Sequence, residues 1–143
     1  MILTGQQLVE QGIILNGVDF KVDDGELPSY GVDGCGYTLC ACVAWDYQKW
    51  VLEIGGTIEF QSLEMVDIPT DCVGICYLKT TYGRQGIIST LSGVLDPGFQ
   101  GPVTIRLYNS SNYPVTLYSA GGFVMVMVQQ LTERATGYSG RWM

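Results

Sequence analysis

The stretch "FVMVMVQQL", residues 123–131, constrains this chain more than any other. In an extended strand, successive side chains point to opposite faces, so Phe123, Met125 and Met127 share one face while Val124, Val126 and Val128 share the other. Both faces are apolar. Such a strand has to be covered on each side, by a second sheet or by a neighbouring subunit. Its surroundings are also strand-like: "VTIRLYN" alternates Val103, Ile105 and Leu107 against Thr104, Arg106 and Tyr108, the period of a half-buried strand. Further short strands fit "YTLCACVAW", "VLEI", "TIEFQSL", "VGICYLKT", "GIIST" and "PVTLY", separated by Gly, Pro, Asn and Ser. The expected fold is all-β, a jelly-roll or β-barrel sandwich. One short helix opens it, with Thr4 as N-cap, Gln7 three residues on, Leu8 on the inner face and Gly12 as the stop. A length of 143 residues fits one domain, with residues 1–132 as the β domain and 133–143 as a C-terminal arm.

Only 15 % of the residues are charged against 47 % hydrophobic, which suits an exterior partly covered by copies of the chain or by a partner. The net charge of −7 is unevenly spread. Residues 1–71 hold twelve acids against Lys21 and Lys49, whereas residues 72–143 hold five cations against Asp96 and Glu133. Either the second half builds an anion site or the two halves match charge within or between subunits. The acidic total argues against nucleic acid and anionic membranes as partners. The N-terminus lacks the basic region and long apolar run of a signal peptide, so the chain is expected to stay where it is made. No stretch approaches the roughly 18 apolar residues of a membrane span.

Histidine is absent, which removes Ser-His-Asp and Cys-His nucleophilic sites and the commonest metal ligand. There is no phosphate-binding P-loop, and the glycines sit at strand ends rather than in a strand-to-helix turn. An enzyme built from this chain would work with carboxylates, Lys, Arg and Ser/Thr, with Mg²⁺ as the plausible cofactor. The five cysteines, Cys35, Cys40, Cys42, Cys72 and Cys76, are an odd number. Cys40 and Cys42 share one strand face and cannot easily pair with each other, so all five are candidates for bridges to another chain; buried reduced thiols are the alternative. The C-x₃-C spacing of Cys72 and Cys76 without a second clean pair gives no metal site.

The order of the segments resembles the trimeric dUTPase and dCTP deaminase superfamily. "GVLDPGFQG" is similar to that family's hairpin of the form G-V-I-D-x-x-Y-x-G, followed by a strand and an Asn in "VTIRLYN". "LKTTYGRQGI" resembles the phosphate-binding motif R-S-S-L-x-R-x-G of the deaminase branch. "MILTGQQLVEQGII" and "PSYGVDGCGYTL" resemble the opening helix and S-Y-D-L segment of that branch, and "ERATGYSGRWM" resembles the tail that closes over the nucleotide. The resemblance implies a homotrimer whose chemistry is shared between subunits. It implies that Asp96 orients or deprotonates a water or contacts the 3′-hydroxyl, that Phe99 packs on the deoxyribose, and that the hairpin backbone reads the pyrimidine edge. Lys79, Thr80, Thr81 and Arg84 would face phosphates, with Arg134, Tyr138 and Arg141 arriving on the tail as a lid.

Against that pattern stand several departures. Thr38 occupies the place of the first motif's Asp, which organises Mg²⁺, and a neutral hydroxyl does not replace an anionic ligand of a hard cation. Arg106 occupies the place of the deaminase Glu, and a guanidinium does not shuttle protons near neutral pH. Gly122 stands in for the fourth motif's acid, Met125 or Met127 for its Gln, and Lys79 for an Arg. Asp96-Pro97-Gly98 is also a good turn sequence in its own right, so a turn corner and a catalytic carboxylate both remain open. Likewise, Lys79 and Arg84 could be solvated strand-end charges, and Met125 and Met127 core or trimer-axis packing.

Two readings follow. The first is a non-catalytic homotrimeric structural or binding module of viral, phage-encoded origin, a capsid-decorating or minor capsid component located in the virion, contacting other capsid proteins and cross-linked through cysteines. The second is a host-cytoplasmic nucleotide enzyme, a dUTPase-like pyrimidine deoxynucleoside triphosphate pyrophosphatase or a dCTP deaminase-like protein using Asp96 with Mg²⁺. A protein that holds a pyrimidine nucleotide without turnover lies between them. The lost acids and bases favour the first, since each contributes about 10² to 10⁴ in rate.

Overall fold

A computed structural model describes residues 1–42, 49–89 and 93–137. Residues 5–10 form the expected helix α1 (Gly5–Glu10). Its cap is reciprocal: the Gln7 N–H donates to Thr4 Oγ1 at 3.2 Å and the Thr4 N–H donates to Gln7 Oε1 at 2.9 Å, while Leu8 is buried.

The rest is strand: β1 (Ile14–Leu15), β2 (Lys21–Val22), β3 (Tyr30–Val32), β4 (Tyr37–Cys42), β5 (Lys49–Leu52), β6 (Thr57–Asp67), β7 (Cys72–Leu78), β8 (Ile87–Ser89), β9 (Val94–Leu95), β10 (Gln100–Asn109), β11 (Val115–Tyr118) and β12 (Gly122–Gln130). All pairings among them are antiparallel. The main sheet runs β8-β10-β6-β4-β12-β7-β9 and curls on itself, with β1 added to β6 and the β2–β3 pair to β4; β5 and β11 form a separate two-stranded sheet. The all-β expectation holds. A second, one-turn helix was not expected: α2 (Thr80–Gly83) takes the place of a strand end once Lys79 N–H has donated to Phe123 C=O at 2.8 Å.

Alternation sorts each long strand. In β10, Val103, Ile105 and Leu107 are buried, as their spacing predicts. In β6 the inward set is Phe60, Ser62, Glu64 and Val66, and the outward set includes Glu59, Gln61, Leu63 and Met65. Strand β12 departs from simple alternation. A bulge between Gly122 and Val124 carries Phe123 into the core, where its ring meets Phe60 edge to face at 6.0 Å. Phe123 therefore joins Val124, Val126 and Val128 inside, while Met125 and Met127 remain half-buried on the outer face.

Arg134 and Ala135, beyond β12, lie against the β6–β7 turn. The Ala135 N–H donates to Thr70 C=O at 2.8 Å and Arg134 Nη1 donates to Thr70 Oγ1 at 2.7 Å. Among the described residues no helix is long and apolar enough to cross a membrane.

Candidate functional site

Asp96, Pro97, Gly98 and Phe99 make a tight turn. The Phe99 N–H donates to Asp96 C=O at 2.9 Å, and Gly98 takes φ 88°, the positive value that the third residue of a type II turn needs and that only Gly adopts without strain. Pro97 precedes it with its φ already set. Two further bonds rivet the turn to the β6–β7 connection: Gly98 N–H to Ile68 C=O at 2.9 Å and Ile68 N–H to Phe99 C=O at 2.8 Å. The Asp96 side chain stands exposed on this rigid corner.

Beside the hairpin lies a slot of about 500 Å³. Strand β10 from Pro102 to Arg106 lines it, together with Val94, Leu95, Cys76 and Phe99. Among the described residues the other edge of β10 is paired by β8 only at Leu107–Asn109, so strand backbone lines the slot. The β10 wall carries a bulge between Pro102 and Thr104, held by Ser62, whose Oγ accepts from the Val103 N–H at 2.9 Å. Arg106 lines the slot together with Glu59, its register partner on β6, and the two form a half-exposed ion pair at 2.8 Å.

The phosphate motif sits elsewhere. Thr80, Thr81 and Arg84 are exposed on and beside α2, and Lys79 donates to Ser29 Oγ at 3.0 Å. Leu95 pairs with Gly74 near one end of β7, whereas Lys79 follows its other end. At about 3.3 Å per residue, Asp96 and Thr80 are roughly 20 Å apart along that strand. One chain thus does not bring the carboxylate and the phosphate motif together. Arg134 is held at Thr70, on the hairpin side, and Tyr138 and Arg141 lie outside the described residues.

The departures have structural reasons. Thr38 is buried and donates to Asp33, which also pairs with Lys21 at 3.5 Å. Gly122 leaves no room for an acid, because a Cβ there would lie 2.0 Å from the Ser29 carbonyl oxygen. Among the described residues no group of three or more His, Cys, Asp or Glu could hold an ion.

The thiols are poor candidates for chemistry. Burial raises Cys40 strongly and pushes Cys76 up to about 12 and Cys72 to about 11. Cys40 and Cys72 are buried out of reach of another chain, Cys76 faces the slot, and Cys35 is exposed. The Cys42 side chain lies outside the described residues. No disulfide joins the described cysteines, which are free.

A family model described as dCTP deaminase-like matches residues 40–131. The chain belongs to this family. It is 34 % identical over 91 residues to a dUMP-forming dCTP deaminase of Mycobacterium leprae (strain Br4923), covering 63 % of this chain and 48 % of that one. Against a dCTP deaminase of Sulfurovum sp. (strain NBC37-1) it is 27 % identical over 145 aligned positions, 97 % of this chain and 77 % of the relative. The chain spans about half the length of the first curated relatives it matches. In fold it is similar to the dCTP deaminase of Agrobacterium tumefaciens (TM-score 0.69, 15 % identity, 90 % of this chain and 47 % of that one). It is also similar to the EIAV dUTPase (TM-score 0.61, 16 % identity, 90 % and 97 %).

Three residues of the dCTP deaminase-like chain's site escaped sequence reasoning: Glu59, Ser29 and Ser62. Each acts through a partner 41 to 50 positions away. Nothing local marks them, because register across strands is a property of the closed sheet.

Proposed function

We propose that this chain binds pyrimidine deoxynucleoside triphosphates as a homotrimer and hydrolyses them to monophosphate and pyrophosphate, with Asp96 orienting the attacking water. The observation that carries this reading is the slot beside the rigid Asp96 hairpin, lined by strand β10 and by Phe99. Fixed backbone donors and acceptors suit the edge of a base, and an aromatic suits a sugar face. The family's named members are nucleotide enzymes, which favours this reading over a virion module.

The distance between Asp96 and the phosphate motif supports assembly. A triphosphate lying on one hairpin would meet Lys79, Thr80, Thr81 and Arg84 of another copy, where cations and hydroxyls offset the anionic oxygens. The outer face of β7 and β12 supplies a surface for it: Tyr77 is exposed and pairs with half-buried Met125, and Ile75 pairs with Met127.

Hydrolysis is preferred to ring deamination because of Arg106. Deamination needs a group that gives and takes a proton at the base, and a guanidinium does neither near neutral pH. Incubation with dUTP or dCTP and Mg²⁺, following pyrophosphate and ammonia separately, tests the assignment. Pyrophosphate release abolished by Asp96→Asn, with no ammonia, is the expected result. Absence of turnover, or turnover indifferent to that substitution, overturns it.

A further inference from the structure

We propose that Ser29 is a positioning residue of the phosphate motif, its hydroxyl holding the Lys79 ammonium in place while leaving the positive charge for an anionic ligand. This rests on the reading of Lys79 as a phosphate contact. Lys79 Nζ donates to Ser29 Oγ at 3.0 Å, across 50 positions of sequence. Strand β12 brings the two together. The Gly122 N–H donates to Pro28 C=O at 2.9 Å, and the Lys79 N–H donates to the carbonyl of the next residue, Phe123, at 2.8 Å. Gly121 and Gly122 make that approach possible. A Cβ on Gly121 would press on Pro28 Cδ at 3.0 Å, and one on Gly122 would run into the Ser29 backbone. The two glycines and Ser29 form one arrangement, in which the place of the fourth motif's acid is given up and a hydroxyl reaches the cation instead.

The chemistry of that partner matters. A lysine side chain is a point charge on a flexible four-carbon stem, and it loses rotamer freedom when it engages an anion. A fixed hydroxyl removes part of that cost before the ligand arrives. The ammonium has three N–H donors and Ser29 takes one. A carboxylate at the same distance would also hold the ammonium, but it would offset the positive charge and repel phosphate oxygens. Among the described residues Lys79 is half-buried and joins no ion pair. Thr80, Thr81 and Arg84, the motif's other donors, follow it closely and are exposed.

The test is calorimetric titration of the full chain with inorganic tripolyphosphate, with dUTP and with deoxyuridine, in the absence of divalent cation. Ser29→Ala is expected to weaken tripolyphosphate and dUTP about 2- to 10-fold and to leave deoxyuridine, which carries no phosphate, unchanged. Ser29→Thr keeps the hydroxyl and is expected to bind as the parent does. Ser29→Asp keeps an acceptor but adds a compensating charge, and is expected to bind tripolyphosphate more weakly than Ser29→Ala. In a Lys79→Met background the loss from Ser29→Ala should vanish, a coupling that a merely structural role would not produce. Parent-like tripolyphosphate affinity in Ser29→Ala or Ser29→Asp overturns the proposal, as does a Ser29→Thr loss equal to that of Ser29→Ala. An undiminished Ser29→Ala loss in the Lys79→Met background, or an equal fall in deoxyuridine binding, overturns it too. Indifference of tripolyphosphate to Lys79→Met, or no binding by the parent, removes the phosphate reading of Lys79 and the proposal with it, a failure distinct from the loss of Ser29's role alone.

Discussion

Among the described residues Glu64 is the buried carboxylate of the core, 3 % exposed, with both oxygens accepting from the Cys40 N–H at 3.0 Å. Burial pushes it up from 4.5 to about 7, and the backbone bonds pull it only part of the way back. The folded chain therefore holds a proton that the unfolded chain releases near pH 4.5. Its contribution to stability is full below that pH, declines as pH rises, and is gone above about 7, a change on the order of 3 kcal/mol. Urea unfolding at a series of pH values from 4.5 to 8 should show that decline, and Glu64→Gln should flatten it. An identical slope in the variant would assign the dependence to another group. Gly122 is constrained in a different way. Restoring the family's acid by Gly122→Asp drives a side chain into the Ser29 carbonyl oxygen. The expected cost is at least about 1–3 kcal/mol, read as a lowered melting temperature; an unchanged one would mean that Ser29 and β12 separate easily.

At the scale of elements, the bulge in β10 shapes the slot. Between Pro102 and Thr104 the ladder with β6 slips. Ser62 fills the gap, accepting from the Val103 N–H and donating to the Glu64 C=O at 2.8 Å. Ser62→Ala leaves a buried N–H unsatisfied, at roughly 1–3 kcal/mol. If the bulge aims the slot wall, nucleotide affinity should fall in this variant beyond what its lower stability explains, measured well below its melting temperature. Affinity equal to the parent's would make Ser62 purely structural. Asn109, at the far end of β10, is fully buried and shows how the strand is terminated. Its amide donates to Leu52 C=O and Tyr113 C=O and its carbonyl accepts from Ser111, tying three segments at one point.

For the whole molecule, the apolar outer face of β7 and β12 decides whether the chain is complete alone. Tyr77 is 51 % exposed and Val94, on the neighbouring β9, is 53 % exposed, in a chain poor in surface charge. In the proposed homotrimer this face lies between copies. Met127→Glu or Tyr77→Glu places a charge in such an interface. Light scattering should report three chain masses for the parent and one for these variants, and nucleotide turnover should vanish with the assembly even though no site residue has changed. A parent that elutes as a monomer, or a monomeric variant that keeps its turnover, removes the shared-site account.

Local periods account for a large part of the fold. The alternation in "VTIRLYN" states which side chains of β10 are buried, Thr4 with Gln7 states where α1 begins, and Pro97-Gly98 states the turn at Asp96. Such features depend on residues within about four positions of one another, and so they are visible in the chain itself. The bulge that moves Phe123 inward, the pairing of Glu59 with Arg106, the bond from Lys79 to Ser29 and the separation of Asp96 from Thr80 were not legible there. They depend on strand register and on how the sheet closes. Register is settled by the summed fit of distant segments, and one residue of slip reverses which face every later side chain occupies. The sequence alone determined a β fold with a rigid carboxylate hairpin and the family it belongs to; the tertiary structure decided which charged groups share the slot and that the carboxylate and the phosphate motif do not meet within one chain.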